Sequence, residues 1–445
     1  MAKRLFGTDG IRGIAGLYPL DPPTAHAFGL ALGNVARHLG PTPQIVIGMD
    51  TRESGPWIAG QVAGGLKEAG VGVRFAGVVT TPGVAFLTHT DSFVAGVMIS
   101  ASHNPYQDNG IKVFGHSGYK LPDAEEHAIE EEIFRLLEAG VDPVPLQFPV
   151  DEGLDRRYVD DLLSTVATPL KGLNIVLDCG NGAASHLAPE LFRRAGAEVQ
   201  AIGCAPDGRN INLGCGALYV EALREAVLEL RADLGVAFDG DADRAIFVSK
   251  SGRIIDGDAV LLIAARELRA SGRLPHNLVI ATVMSNLGLE KALESDGIRL
   301  TRTAVGDKYV LEEMLRSGAA LGGEQSGHVI FSEHSTTGDG MLTALKTIEV
   351  VARAGLGLDE LTADMKTFPQ RLVNVRVRER KTLTDLPSVV NEIRECEAAL
   401  NGSGRILVRF SGTEPLARVM VEASDARQVE EFSARIAGAI EREIG

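Results

Sequence analysis

One pattern recurs along the chain: an apolar run of strand length, a short loop rich in Gly, Asp, Ser and Thr, then a segment with helical spacing. It appears in QIVIGMDTRESG, FVAGVMISASHNP, LNIVLDCGNGAAS, LGVAFDGDADR and NLVIATVMSNLG. This alternation predicts α/β architecture. In open α/β sheets ligands gather beyond the carboxyl ends of the strands, where these polar loops fall. The chemistry is therefore expected in the loops.

Breaks in the pattern divide the chain. From Val141 to Gly153 there is no periodic element, Pro143, Pro145 and Pro149 interrupt the run, and an amphipathic helix pattern, RRYVDDLLSTV, follows. SKSGR, Ser249 to Arg253, reads as a hairpin turn before the helix pattern GDAVLLIAARELRASG. After Phe368 the character changes to strand-like NVRVRER, helix-like SVVNEIRECEAALNG, strand-like GRILVRF and RVMVEA, and a last amphipathic helix, ARQVEEFSARIAGAIEREI. The expected organisation is three α/β domains, residues 1–153, 154–253 and 254–367, and a small α+β domain, residues 368–445.

Composition narrows the class. The chain has 445 residues, 45% hydrophobic and 23% charged, the balance of an ordinary globular protein with several cores. No apolar run reaches membrane-spanning length and MAKRLFGTDGIRG is not a signal peptide, so a cytoplasmic protein is expected. With 44 basic against 59 acidic residues the net charge is −15, which opposes binding to nucleic acid or an acidic membrane. An anionic ligand would need its cations gathered locally. Cys179, Cys204, Cys215 and Cys396 lie far apart in sequence without CxxC spacing, so neither a disulfide framework nor a zinc site is indicated and reduced thiols are expected.

Six loops could carry chemistry. ISASHNPYQDNGIKVF places Ser102 in a turn between two strands, exposed at a strand end, with Pro105 and Asn109-Gly110 shaping the return. An ordinary turn serine is the plain alternative. A hydrolase is not indicated: GxSxG is absent, and His103 should diverge from its neighbour in extended backbone. Lys112, in the next strand, is better placed to approach the hydroxyl.

DGDADR spaces Asp239, Asp241 and Asp243 at alternate positions, three hard oxygen donors that suit Mg²⁺. An EF-hand does not fit, because the twelfth position from Asp239 is Lys250. A solvated acidic turn is the alternative, but Arg244 beside the acids is a natural phosphate contact. GGEQSGH offers Glu324, Gln325, Ser326 and His328 to sugar hydroxyls, or is an unremarkable turn. RFSGTEPLARV sets Arg409, Ser411, Thr413 and Arg418 around Gly412, which reads as a phosphate site more readily than as a polar hairpin turn. FGTDGIRG presents Thr8, Asp9 and Arg12, and GDKYV adds Asp307 and Lys308; each is weak alone.

Taken in order, FGTDGIRG, ISASHNP, DGDADR, GGEQSGH and RFSGTEPLARVMVE resemble the full motif set of the α-D-phosphohexomutases, from Phe6 to Glu422. The resemblance implies three similar α/β domains and a small α+β C-terminal domain around a central cleft. It implies that Ser102 is a phosphoserine that donates and recovers a phosphoryl group. Asp239, Asp241 and Asp243 would hold one Mg²⁺, with the phosphate on Ser102 as a further ligand. Glu324 and Ser326 would bind sugar hydroxyls, and Arg409, Ser411, Gly412, Thr413 and Arg418 the phosphate that is not reacting. Thr8, Arg12, His103, Lys112, Arg244, Lys308 and His328 would line the cleft, with Lys112 or a neighbour assisting proton transfer.

The EQSGH form of the sugar loop resembles the branch acting on glucosamine phosphates, with Gln325 the discriminating position against glucose and mannose phosphates. That branch implies a hexosamine phosphate substrate, a sugar 1,6-bisphosphate intermediate, a homodimer, and a role in amino-sugar and cell-envelope precursor synthesis. A metal-dependent sugar phosphatase would leave the second phosphate site without a purpose, and a noncatalytic sugar-phosphate binder would need neither Ser102 nor the three aspartates.

Overall fold

The computed structural model describes residues 5–7, 9–379, 381–410 and 415–445. They form two compact units, one of residues 1–284 and 298–362, the other of 285–297 and 363–445.

The first unit contains one strand arrangement three times. Gln44–Met49 runs parallel between Gly72–Val78 and Ala95–Ile99, and Asp108–Gly115 returns antiparallel beside Ala95–Ile99. Asn174–Asp178 likewise lies between Glu198–Ile202 and Leu234–Phe238, with Ala245–Ser249 returning. Leu278–Thr282 lies between Arg299–Thr303 and Leu321–Gly323, with Val329–Phe331 returning. In each repeat the first strand is central, the second and third flank it, and the fourth hangs antiparallel on the third. Phe6–Gly7 and Gly10–Ile14 extend the first sheet, and Ile254–Ile255 the second.

Ala95–Ile99, Leu234–Phe238 and Leu278–Thr282 are buried along their whole length, because helices cover both faces of a largely parallel sheet. Several helices begin at a strand-end loop with a side-chain cap. Thr80 accepts from Gly83 N, Asp256 from Ala259 N and Asp339 from Leu342 N. Each such cap contributes about 1 kcal/mol and fixes where the preceding loop ends.

The proline-rich stretch has no regular element, as its sequence predicts, but it is fastened to the first repeat. Leu146 N donates to Gly60 O, Asp151 N donates to Phe75 O, and Phe148 packs edge-on against Phe75 with ring centroids 4.8 Å apart.

In the second unit an antiparallel sheet of Gln370–Arg376, Leu416–Ala423 and Gly404–Phe410 packs with Pro387–Leu400 and Ala426–Ile444. Its core includes Val375, Cys396, Val419, Phe432 and Ile436. The first strand runs over Gln370–Arg376, earlier than the NVRVRER reading, because its register with Leu416–Ala423 pairs Gln370 with Glu422 and Arg376 with Leu416. The helix Leu287–Ser295 belongs to this unit. Leu287 N donates to Glu422 Oε1 at 2.7 Å, and the Asn286 amide donates to Phe368 O at 2.9 Å.

Candidate active site

The threefold repeat places three of the chemistry-bearing loops at one topological position. Ser102, the three aspartates and the Glu324–His328 segment each occupy the connection from the third strand of a repeat to its antiparallel fourth strand.

Ser102 adopts a left-handed backbone, φ 51°, which costs a residue with a side chain about 1–3 kcal/mol unless its surroundings impose it. Those surroundings are specific. Its N–H donates to Ser100 Oγ at 2.9 Å, and its carbonyl accepts from Asn212 Nδ2 at 3.0 Å and from the Arg52 guanidinium at 3.2 Å. Ser100 Oγ in turn donates to Asp50, which forms a fully buried ion pair with Arg52. A Cβ on Gly240 would come within 2.5 Å of Ser102 O, so only glycine lets the aspartate loop approach this closely.

Two expectations change here. Ser102 is 2% exposed rather than open at a strand end, because these contacts close over it. The left-handed turn also swings His103 back, so its Nδ1 stands 3.4 Å from Ser102 Oγ instead of diverging as in extended backbone.

The hydroxyl of Ser102 donates to Asp239 Oδ2 at 2.6 Å. Asp239, Asp241 and Asp243 are buried, and one carboxylate oxygen of each lies within 4.8 Å of the other two. Thr81 Oγ1 donates to Asp241 Oδ2 at 2.6 Å, but Asp241 Oδ1 and Asp243 Oδ1 are buried without a hydrogen-bond partner. Leaving such an acceptor unsatisfied costs about 1–3 kcal/mol, and three converging hard oxygens suit a cation. Burial, then the Asp243 and Asp241 charges, push the Asp239 carboxyl far up from its ordinary range. Burial acts on Asp243 too, but His328, Lys112 and Arg244 outweigh it and hold that group low. The group fits metal binding.

Cations and unsatisfied donors surround the triad. Lys112 Nζ lies 2.9 Å from Asp241 Oδ2, 3.0 Å from Asp9 Oδ2 and 4.0 Å from Asp243 Oδ2. Burial opposes its charge, but Asp241, Asp9 and Asp243 prevail and keep the ammonium protonated well above its ordinary range. Lys112 is thereby held as a cation between Asp9 and the triad. Arg12 donates to Ala101 O at 3.1 Å and pairs with Asp9, while Arg244 lies 3.7 Å from Asp243. The Nε–H of each is buried without a hydrogen-bond partner. Burial, then the Arg244 and Arg12 charges, lower the His103 pKa to about 4, so its imidazole is neutral near pH 7.

His328 Nε2 accepts from Gly338 N at 3.1 Å, which places the ring proton on Nδ1, 3.5 Å from Asp243 Oδ2. Burial lowers the His328 pKa but the Asp243 contact outweighs it and raises the group overall, yet the Gly338 N–H occupies the atom a second proton would need. We assign the neutral Nδ1–H tautomer.

Glu324 and Ser326 sit together: Ser326 Oγ donates to Glu324 Oε2 at 3.3 Å, and Gly306 N donates to Glu324 Oε1 at 3.1 Å. Gln325 turns its amide to Asp256 Oδ2 at 3.1 Å, anchoring the loop to the cap of Gly257–Ala270. Lys308 stands apart from the aspartate cluster and donates to Asp123 at 2.6 Å. In the second unit Arg409 and Arg418 are register partners on adjacent antiparallel strands. Burial, then the Arg418 charge, lower the Arg409 pKa. Thr8, Ser411, Gly412 and Thr413 lie outside the described residues.

Four contributors carried no usable signal as isolated residues: Arg52, Asn212, Thr81, and Lys120, which joins Asp9 to Asp307. Arg52 and Thr81 do follow strands of the first repeat, so attention to every strand-end loop could have found them.

The phosphoglucomutase/phosphomannomutase family matches along the chain: alpha/beta/alpha domain I at residues 3–139, domain II at 156–252, domain III at 256–368 and the C-terminal domain at 372–439. A relative from Solibacter usitatus called phosphoglucosamine mutase is 65% identical over 445 residues, covering 100% of both chains. One of the same name from Koribacter versatilis is 51% identical, covering 100% of this chain and 98% of its own. The crystal structure of a phosphoglucomutase/phosphomannomutase family protein from Burkholderia thailandensis superposes with a TM-score of 0.81 at 24% identity, covering 99% of this chain and 97% of the other.

Proposed function

We propose, from the premise that the chain belongs to the phosphoglucomutase/phosphomannomutase family, that this isomerase-class mutase interconverts glucosamine 6-phosphate and glucosamine 1-phosphate. The observation that carries the reading is the Ser102 hydroxyl, held in a strained buried turn against Asp239, with unsatisfied carboxylate oxygens and guanidinium N–H groups gathered around it.

Phosphoryl transfer depends mainly on alignment and charge stabilisation. In the working form Ser102 Oγ carries a phosphoryl group, which passes to a hydroxyl of the hexosamine phosphate. The sugar becomes a 1,6-bisphosphate, turns, and returns its other phosphoryl group to Ser102. Asp239, Asp241 and Asp243 would hold Mg²⁺. Bound there, it would neutralise charge that builds on the moving phosphoryl oxygens. Arg12 and Arg244 direct their free N–H groups to the same oxygens, Lys112 supplies fixed positive charge, and neutral His103 can accept a proton beside Ser102 Oγ. Glu324 and Ser326 bind sugar hydroxyls, with His328 beside them; Lys308 and the Thr8 turn complete the sugar-phosphate contacts. Arg409, Arg418 and the intervening Ser411, Gly412 and Thr413 hold the phosphate that is not reacting. A homodimer in the cytoplasm belongs to the same reading.

A coupled assay comparing glucosamine, glucose and mannose 6-phosphates, with intact mass of the active enzyme, tests the proposal. Glucosamine 6-phosphate should have the highest kcat/KM, and the mass should show one phosphate that Ser102→Ala removes together with nearly all turnover. A preference for glucose or mannose 6-phosphate would reassign the substrate. Release of phosphate without isomer would make the protein a phosphatase.

A further inference from the structure

The cysteines that are scattered in sequence converge in the second repeat. Asn174–Asp178 and Glu198–Ile202 are parallel neighbours ending in register, Asp178 opposite Ile202. The lacing continues beyond the strands: Cys179 N donates to Ile202 O at 3.1 Å, and Asn181 N donates to Gly203 O at 2.6 Å. Cys179 is thus opposite Gly203 and one residue out of step with Cys204. Gly203 is left-handed, φ 59°, which ends the strand's alternation there. The two thiols interact across the strand ends, the contact favouring a thiolate on Cys204 over one on Cys179. Adjacent strands lie about 4.8 Å apart and one residue of offset adds about 3.3 Å along the strand, which puts a diagonal pair roughly 6 Å apart at Cα, within the roughly 4.4–6.8 Å a disulfide needs. Cys179 is fully buried and Cys204 half-buried, so a small oxidant reaches Cys204 first.

This pair also touches the machinery around Ser102. Gly180 O accepts from Asn212 N at 2.8 Å, and Asn212 Nδ2 donates to Ser102 O at 3.0 Å. Gly240 O, within the aspartate loop, accepts from Ala183 N at 2.8 Å. A change of backbone at Cys179 therefore reaches the serine turn through two hydrogen bonds and the aspartate loop through one.

We propose that Cys179 and Cys204 are a redox-modification site, closing to a disulfide under peroxide and opening again under thiol reductant, with the closed form lowering activity. The Cys204 thiolate attacks one oxygen of the peroxide, the O–O bond breaks, and a sulfenic acid and hydroxide form. The Cys179 sulfur then attacks the Cys204 sulfur, displacing the sulfenic oxygen as water. In sum two thiols and one hydrogen peroxide give one disulfide and two waters. The hydrogen bond from Cys179, more than any other interaction, favours the Cys204 thiolate and raises the Cys179 thiol, which suits Cys204 as the first nucleophile. Cys215, whose sulfur lies 3.6 Å from the Asn181 amide, is the neighbouring thiol that could compete.

The test treats the full-length protein with hydrogen peroxide, maps disulfide-linked peptides by mass spectrometry, and follows glucosamine-phosphate mutase activity before and after dithiothreitol. The expected result is a 179–204 linked peptide, a fall of about tenfold in kcat, as small misplacements of catalytic groups produce, and recovery with dithiothreitol. Cys204→Ser, which can keep the 3.3 Å contact to Ile202 O, should have wild-type activity and resist peroxide. Absence of the linked peptide, a Cys204–Cys215 link instead, or equal peroxide sensitivity in Cys204→Ser would overturn the proposal. The activity arm rests on the mutase reading, but the peptide map does not. A mapped disulfide in a protein without mutase activity would count against that reading and leave the thiol chemistry standing.

Discussion

At the residue scale, the site depends on side chains that never meet a substrate. Arg52 is the clearest. It is fully buried, pairs with Asp50, and donates to the carbonyls of Ser102 and Asn104. A planar guanidinium can serve those partners together, whereas an ammonium on a single stem cannot. Arg52→Lys should keep the charge but release the turn. We expect kcat to fall about ten- to a hundredfold while KM changes less than threefold, since a displacement near 1 Å at the reacting group costs on that order. Steady-state kinetics of a variant whose circular dichroism matches wild type gives the answer, and an unchanged kcat would show that the turn holds without Arg52.

At the element scale, the strands Gly404–Phe410 and Leu416–Ala423 set Arg409 directly opposite Arg418. Like charges in direct register repel, and a phosphate held by both, as proposed above, would offset that repulsion. A charge-assisted contact of this kind is worth about 1.5–3 kcal/mol, roughly ten- to more than a hundredfold in affinity. Arg409→Ala should raise KM by that factor and increase the glucosamine 1,6-bisphosphate lost to solution per turnover, without altering Mg²⁺ affinity. Wild-type KM and no additional bisphosphate release would reduce this loop to a turn.

Across the molecule, the repeats are fastened by buried polar links with a pH signature. Tyr158, on Leu154–Ser164, donates to Asp339 Oδ2 at 2.8 Å, and Asp339 caps Gly340–Ala354. Burial raises the Asp339 pKa to about 6, outweighing the hydrogen bonds from Leu342 N and Tyr158 that lower it. An unfolded chain releases this proton near pH 4, so between about 4 and 6 the folded state binds more protons than the unfolded. The stability this contributes is complete below about pH 4 and is lost as pH rises through 6, in total about 2–3 kcal/mol. Asp339→Asn should lack that component. Urea midpoints at pH 4.5, 5.5 and 7 should therefore fall less steeply with pH in the variant than in wild type, and parallel curves would assign the proton elsewhere.

The sequence by itself determined the α/β class, because buried strands of a largely parallel sheet must be nearly continuous apolar runs and their loops must be polar. It also singled out Ser102 and the three aspartates as candidates, because a loop serine at a strand end is a possible nucleophile and hard oxygen donors at alternate positions suit a cation. Local pattern could not show that three successive domains repeat one strand order, since topology is a matter of pairing between distant segments. That repeat is what brings the Ser102, Asp239 and Glu324 loops to equivalent positions. Tertiary packing alone buried Ser102, turned His103 toward it, set Lys112 between Asp9 and Asp241 and turned the Gln325 amide to a helix cap. It also gathered Cys179, Cys204 and Cys215, separated in sequence, at one end of a sheet. Each of these depends on which atoms stand within about 3–4 Å of one another, and only the folded chain makes those neighbours.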